Sequence, residues 1–314
     1  MNSDPPARPS LRQIQYFVAV ADHRGFGAAA QALAVSQPSL SKQLATMEEE
    51  LGATLFERTS RRVTLTLLGQ KLSPRGRAIL HEMREFRALA RGSIGMFGDR
   101  LSIGVLPSIG AYFMPIANRR LHRLFPSLRL AVQEGATVQL LDMLADGRLD
   151  AVIGTPTNDP EFETNYLFTE TLWVCAATDD PLSAETGPVG LEDLADKPLL
   201  SVSANFRLAE IVERLAKLAG THVSRDYQGA TLDAVRQMAV MGAGVAVLPS
   251  LYALADAVRD PEFVVRRIDD PEAVHEIALI WRRASAMRPD FLELAEHLIT
   301  VKQEIRRARA EPFR

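Results

Sequence analysis

Cysteine is almost absent from the chain: Cys175 is the single one among 314 residues. A lone thiol excludes an intrachain disulfide, a CxxC redox pair and a cysteine-rich metal site. The sequence also lacks an uninterrupted apolar run of about 18 residues, so no membrane span is expected. Because the polar, proline-rich residues 1–9 lack the apolar core of a secretion signal, we expect a cytoplasmic protein without a membrane partner.

Motifs for catalysis and cofactor binding are missing as well. The six histidines are scattered and form no HExxH motif, and no P-loop is present. Gly242 and Gly244 form a GxG that runs into a predicted strand rather than a helix, which does not suit a dinucleotide. Asp142, Asp146 and Asp150 are spaced four apart and are interpreted as a solvated face. We therefore predict no enzyme, no cofactor and no metal.

The charge of the chain is unevenly distributed. Residues 1–92 contain 13 Lys/Arg and 8 Asp/Glu, a net charge of +5, whereas residues 93–314 contain 23 and 31, a net charge of −8. A basic head on an acidic body indicates that only the head meets a polyanion, although chance variation of the surface remains an alternative.

The head, residues 10–92, has mainly helical periodicity. Three helices are predicted, the third starting at Ser36 as its N-cap and ending at Gly52, followed by two short β-prone runs over 54–56 and 63–66. This order predicts a winged helix-turn-helix that binds double-stranded promoter DNA, with a solvated helical subdomain as the alternative. The predicted DNA contacts are Ser36, Gln37, Pro38, Ser39, Ser41, Lys42 and Gln43 on the third helix, and Arg58, Arg61 and Arg62 on the wing.

A long helical pattern follows from residue 67 to about residue 91. Leu72, Ile79, Met83 and Phe86 form a broken apolar stripe, and nothing else in this region could cover it. We therefore predict that this helix pairs with a second copy, as a homodimer or a homotetramer. Gly92, Gly95 and Gly98 mark a hinge after it.

The body alternates short apolar runs with helical stretches. Leu101–Leu106, Leu128–Val132 and Leu149–Ile153 alternate with helices around 112–124 and 138–146, which predicts a parallel sheet wrapped by helices. A second set of the same kind follows. The predicted elements of this set are strands 172–177, 199–202 and 245–248, helices 207–219 and 232–241, returning strands 263–266 and 277–281, and a closing helix 291–301.

Four segments carry a resemblance to a known family. The runs starting at Leu11 (LRQIQYFVAVA), Phe26 (FGAAA), Val35 (VSQPSLSKQL) and Leu51 (LGATLFER) resemble the LysR-type transcriptional regulators. The resemblance extends through GRLDAVIG at Gly147 and the MGAGVAVLP run of the body. It implies an α/β protein with a winged helix-turn-helix, a linker helix and a two-lobed effector domain like the type 2 periplasmic binding proteins. The expected bounds are 1–66, 67–98 and 99–314, with lobe I at 99–175 and 268–314 and lobe II at 176–267.

The resemblance implies a regulator of transcription that binds a small-molecule effector between the two lobes and acts on RNA polymerase. Ligands of such α/β domains bind beyond the carboxyl ends of strands, where helices begin. Helix capping alone is the alternative role for these polar residues. We expect an anionic metabolite because no carboxylate cluster is evident there. The predicted effector-binding residues are Ser108, Thr137, Thr155, Ser203, Asn205, Phe206 and Thr231.

The body is most similar to the peroxide-sensing OxyR branch of this family. That branch senses with two cysteines, and an ungapped alignment puts Arg207 and Ala216 at their positions, so a disulfide switch of that type is excluded. Cys175 lies in an apolar strand and is interpreted as a buried, inert residue, with a lone sulfenate sensor as the alternative. A regulator that needs no effector and a solute-binding protein are the alternative functions.

Overall fold

The computed structural model describes residues 9–58, 63–90, 100–226, 231–255 and 263–310. The chain divides into two compact units, one of Met1–Gly92 with Ala145–Arg148, the other of Ser93–Leu144 with Leu149–Arg314. Among the described residues, no helix has the length and apolarity that crossing a membrane requires.

The first unit contains three helices, a two-stranded antiparallel ribbon and a long helix. Ser10 caps the first helix with a full capping box, and Ser36 accepts the backbone N–H of Ser39 at the start of the third, as its position in the sequence predicts. Gly52 ends the third helix in the left-handed conformation (φ 62°). The elements are α1 (Leu11–His23), α2 (Phe26–Ala32), α3 (Gln37–Leu51), β1 (Phe56–Arg58), β2 (Val63–Leu65) and α4 (Leu67–Ala90).

The core of the first unit forms where α1, α3 and the ribbon meet. Leu40, Leu44 and Met47 are buried on one face of α3, as their helical spacing in the sequence predicts, and the ring of Phe17 makes an edge contact with Phe56 at 5.6 Å. The long helix joins this core through a glycine. A Cβ at Gly76 would lie 3.1 Å from Val18 Cγ2, so the absence of a side chain lets α4 pack closely on α1.

The second unit is built on an eight-stranded mixed sheet among the described residues. The strand order is β4-β3-β5-β10-β6-β8-β7, and β9 pairs with β6 off this path. The sheet strands are β3 (Arg100–Val105), β4 (Arg129–Glu134), β5 (Ala151–Gly154), β6 (Phe162–Ala177), β7 (Leu199–Leu200), β8 (Val245–Pro249), β9 (Phe263–Arg267) and β10 (Val274–Arg282). The helices are α5 (Pro107–Tyr112), α6 (Met114–Leu124), α7 (Thr137–Ala145), α8 (Arg207–Leu218), α9 (Leu232–Val240), α10 (Ser250–Ala253) and α11 (Arg288–Ala310).

Strand β6 divides the second unit into two lobes. Its residues up to Thr171 pair with β10, and those from Leu172 onward pair with β8 and β9. One hydrophobic cluster surrounds β3, β5 and β10 in the first lobe, and another surrounds β7 and β8 in the second. The two lobes are therefore joined by a continuous strand of 16 residues.

One difference from the predicted elements concerns β6 itself. It begins at Phe162, ten residues before the predicted start at Leu172. The first half of the strand mixes polar and apolar residues and so lacks the continuous apolar run that marked the second half. It is strand because β10 supplies its hydrogen-bonding partner, a contact between residues more than 100 positions apart.

Candidate DNA-binding surface and effector cavity

The first turns of α3 present polar side chains to solvent. Ser41 is half-buried. The hydroxyl of Ser36 also serves as the helix cap, because its Oγ accepts the backbone N–H of Ser39 at 3.4 Å. Because Leu40 and Leu44 hold the opposite face in the core, the polar residues lie on the surface available to a partner. The exposed ones are Ser36, Gln37, Pro38, Ser39, Lys42 and Gln43.

The ribbon that follows α3 is the predicted wing. Arg58 is the last residue of β1 and pairs with Val63 of β2, whereas Arg61 and Arg62 lie outside the described residues. The sequence reasoning missed the residue that positions this ribbon. Glu48, near the end of α3, accepts the backbone N–H groups of Leu55 at 2.7 Å and Phe56 at 3.2 Å, which ties the start of β1 to α3.

The apolar stripe of α4 is only partly uncovered. Ile79 and Phe86 are 45% and 67% exposed, and Met83 between them is half-buried. Leu72 instead packs against the core of the first unit, which corrects the expectation that nothing in this region covers the stripe. The uncovered part of this stripe therefore lies in the later turns of the helix, while Leu67 and Leu68, outside the stripe, are exposed in its first turn.

A cavity of about 150 Å³ lies between the two lobes of the second unit. Leu106 belongs to the cluster of the first lobe, and Val202 and Leu208 belong to that of the second, so both lobes form its wall. Its lining consists of Leu106, Pro107, Ser108, Glu134, Val202, Phe206, Arg207, Leu208, Thr231, Leu232, Pro249 and His275.

Three of the seven predicted effector-binding residues, Ser108, Phe206 and Thr231, line this cavity. Ser203 and Asn205 lie close by in sequence but do not line it. Thr231 also caps α9, since its hydroxyl accepts the N–H of Ala234 at 3.2 Å. Capping and cavity lining thus coexist at this residue.

Thr137 and Thr155 do not line the cavity, although Thr155 is one hydrogen bond and Thr137 two hydrogen bonds away from a residue that does. Thr137 Oγ1 accepts the N–H of Thr155 at 3.3 Å, and Thr155 Oγ1 lies 2.8 Å from Nε2 of His275, which does line the cavity. The alternative role of helix capping does not hold for Thr137, because Ala136 accepts the first helical N–H of α7, from Leu140. The Thr137 hydroxyl contacts the turn after β5 instead.

The sequence reasoning missed His275, which lies in β10 and is 4% exposed. Its Nδ1 has no hydrogen-bond partner among the described residues. Burial, with a contribution from the nearby charge of Arg207, lowers the pKa of His275 to about 4, so the ring is neutral at neutral pH. A partner for a single histidine cannot be read from sequence, since its surroundings depend on strands far apart in the chain.

Two side chains of opposite charge on the cavity wall were missed as well. Arg207 is the first residue of α8 and forms an ion pair with Glu210 one turn later. Glu134 is the last residue of β4, and its carboxylate has no ion-pair or hydrogen-bond partner in the described part of the chain. The cavity therefore presents both signs of charge beside hydroxyl groups.

Two family models match this chain. The model described as bacterial regulatory helix-turn-helix protein, lysR family, matches residues 11–70, and the LysR substrate binding domain matches residues 95–303. The chain belongs to the LysR family of transcriptional regulators. It thus joins a DNA-binding helix-turn-helix to an effector-binding domain, as the sequence resemblance predicted.

Relatives and solved structures of this LysR-type regulator agree with the assignment. It is 33% identical over 288 residues to the hydrogen peroxide-inducible genes activator of Dickeya chrysanthemi and to the DNA-binding transcriptional dual regulator OxyR of Escherichia coli K12, covering 91% of this chain and 94% of each relative. A full-length OxyR variant from Pseudomonas aeruginosa superposes with a TM-score of 0.77 at 29% identity over 93% of this chain and 95% of the other. Full-length CbnR complexed with its target DNA shares the fold, with a TM-score of 0.66 at 24% identity over 92% and 99%.

This LysR-type regulator differs chemically from relatives named for peroxide. Its single cysteine, Cys175, is 0% exposed in β6, within the core of the second lobe. Arg207 and Ala216, which the alignment puts at the positions of the sensing cysteines, are a cavity-lining arginine and a buried alanine of α8. The relatives are transcriptional regulators rather than enzymes, which points away from catalysis.

Proposed function

We propose that this LysR-type regulator binds promoter DNA through the exposed end of α3 and the arginines of the wing. Ser36, Gln37, Pro38, Ser39, Ser41, Lys42 and Gln43 would enter the major groove, and Arg58, Arg61 and Arg62 would contact phosphates or the minor groove. The polar end of α3 supports this role, since six of its seven residues are exposed on a helix held by a packed opposite face. Residues 1–66 would form the DNA-binding domain.

The effector is proposed to be a small anionic metabolite bound in the cavity between the lobes. The observation that carries this proposal is the lining, which brings Ser108 from α5 together with Phe206, Arg207 and Thr231 of the second lobe. Arg207 supplies the positive charge that favours an anion. A ligand that contacts both lobes stabilises the arrangement of the lobes to which it binds best. Occupancy of the cavity would thereby shift the protein toward that arrangement and change its affinity for DNA.

Residues 67–98 are proposed to link the two domains and to form the interface between copies of the chain. The exposed Ile79 and Phe86 on one face of α4 support this role. The regulator would act in the cytoplasm as a homodimer or homotetramer, contact RNA polymerase at the promoter, and catalyse no reaction.

The effector proposal is tested by thermal unfolding of the full-length protein with acetate, lactate, pyruvate and benzoate in turn. A ligand at a hundredfold excess over its Kd stabilises the folded protein by about 2.7 kcal/mol. We expect Ser108→Val to abolish the stabilisation, because it removes a hydroxyl that lines the cavity, and Ser203→Ala to preserve it. Stabilisation that survives Ser108→Val would place the ligand elsewhere.

The DNA-binding proposal is tested with a fluorescent fragment of the region upstream of the protein's own gene. We expect Lys42→Ala to weaken specific binding by about 1–3 kcal/mol if Lys42 reads a base edge. Arg58→Ala should weaken binding to all sequences and reduce the slope of log K against log salt by about one, as loss of a phosphate contact does. Arg123→Ala, an exposed arginine of α6, provides the control and should change neither.

A further inference from the structure

The charges on the cavity wall come from different lobes. Glu134 ends β4 in the first lobe, and Arg207 begins α8 in the second. The two side chains do not form an ion pair with each other, and the Glu134 carboxylate has no partner among the described residues. A carboxylate left without a partner at the wall of a cavity favours a ligand that carries a positive charge, while Arg207 favours a negative one.

Arg207 and the buried His275 both line the cavity, and Arg207 supplies the positive charge that would hold a negative group. His275 Nε2 lies 2.8 Å from Thr155 Oγ1, and Nδ1 is buried without a hydrogen-bond partner among the described residues. When the threonine hydroxyl donates to Nε2, Nδ1 carries the proton and the ring adds no charge to this wall.

The size and the remaining lining restrict the body of the ligand. The cavity has a volume of about 150 Å³, which suits a small ligand. Apart from the polar groups, the wall is aliphatic, with Leu106, Val202, Leu208 and Leu232 among its residues. This surface favours a short apolar group.

We propose that the cavity binds a small α-amino acid with a short apolar side chain, as its zwitterion. The carboxylate binds Arg207, the ammonium group faces Glu134, and the side chain contacts the aliphatic wall. This proposal rests on the proposed function of the cavity as the effector site. It goes further in that the effector carries an ammonium group as well as an anionic group. Because the two charges of the ligand meet charges of different lobes, the bound amino acid holds the lobes together.

The experiment compares ligands that differ only in the ammonium group. Calorimetric titrations of the full-length protein at pH 7.5 use L-alanine against L-lactate, and L-valine against L-2-hydroxy-3-methylbutanoate. We expect the amino acid of at least one pair to bind at least tenfold more tightly than its hydroxy acid. Glu134→Gln should remove this preference, and Arg207→Gln should weaken both members at least tenfold. Glu276→Gln, an exposed residue next to His275 that does not line the cavity, is the control and should preserve the preference.

Each other outcome overturns a defined part of the proposal. A hydroxy acid that binds as tightly as its amino acid overturns the zwitterion and leaves the anionic effector of the proposed function standing. A preference that survives Glu134→Gln overturns the assignment of the ammonium group to Glu134. Absence of binding in both pairs overturns the amino acid, and the separate panel of acids with Ser108→Val then decides the proposed function.

Discussion

The imidazole of His275, which lines the cavity, lies 2.8 Å from the hydroxyl of Thr155, which does not. Thr155 in turn donates its backbone N–H to Thr137 at 3.3 Å. This chain of hydrogen bonds connects β10 with the turn after β5 and the start of α7, so a change at the cavity wall reaches three elements of the first lobe.

We predict that His275 makes the stability of the second unit depend on pH. Its pKa is about 4 in the folded protein against 6.5 ordinarily, so the unfolded chain binds more protons between these values. Stability is therefore complete above pH 6.5 and decreases as the pH falls toward 4. The loss from this residue between pH 7.5 and pH 5 is about 2 kcal/mol, which urea denaturation at the two values measures.

The variant His275→Gln removes the titrating group and should reduce the pH dependence by that amount. His122→Gln, at an exposed histidine of α6, serves as the matched control and should leave the wild-type dependence unchanged. Equal pH dependence in wild type and His275→Gln would show that the imidazole does not resist protonation.

A second prediction concerns Gly69 in the first turn of α4. A Cβ there would lie 2.2 Å from the backbone oxygen of Leu55, so Gly69→Ala must displace the helix from the ribbon and should destabilise the first unit by about 2 kcal/mol. At Gly27, in α2, the nearest atom to such a Cβ is the side-chain Oε1 of Gln37 at 3.5 Å. Gly27→Ala should therefore stabilise the protein by about 0.5–1 kcal/mol, because alanine favours helix. Thermal unfolding of both variants measures the contrast, and equal effects would contradict it.

Self-association should depend on Phe86. Phe86 is 67% exposed on α4 in the single chain. We predict that Phe86→Glu weakens the proposed interface between copies at least tenfold, because it puts a charge where the interface would bury an apolar ring. Sedimentation over a range of protein concentrations measures the change. Arg87→Glu introduces the same residue at the neighbouring exposed position and should leave assembly intact. Dissociation by both variants to the same extent would assign the effect to charge rather than to the stripe.

Peroxide should not act on this regulator through its thiol. Cys175 is buried within β6, where its backbone pairs with Ala246 and Val265. We expect a thiol reagent to label Cys175 in urea but not in buffer, and Cys175→Ala to leave DNA binding with and without peroxide unchanged. A change of DNA binding on peroxide treatment that Cys175→Ala abolishes would contradict this prediction.

The local elements could be predicted because their signals are local. Ser10 and Ser36 cap helices and Gly52 ends one, each through contacts within a few residues. The apolar spacing of Leu40, Leu44 and Met47 predicted the buried face of α3 for the same reason. The first half of β6 escaped prediction because only its pairing with β10 makes it a strand.

The sequence by itself determined the family, the helices of the head, the order of strands and helices in the body and the absence of a cysteine switch. The tertiary structure alone decided which polar residues meet. It turned the Thr137 hydroxyl toward Thr155 rather than toward α7, and it brought Glu134, Arg207 and His275 to one cavity. These three residues come from β4, α8 and β10. The spacing of apolar residues in a segment indicates which side of a helix or strand is buried, but it does not indicate which other elements will pack against that side. Their proximity is set by the partner change of β6 between the lobes, which no single segment encodes.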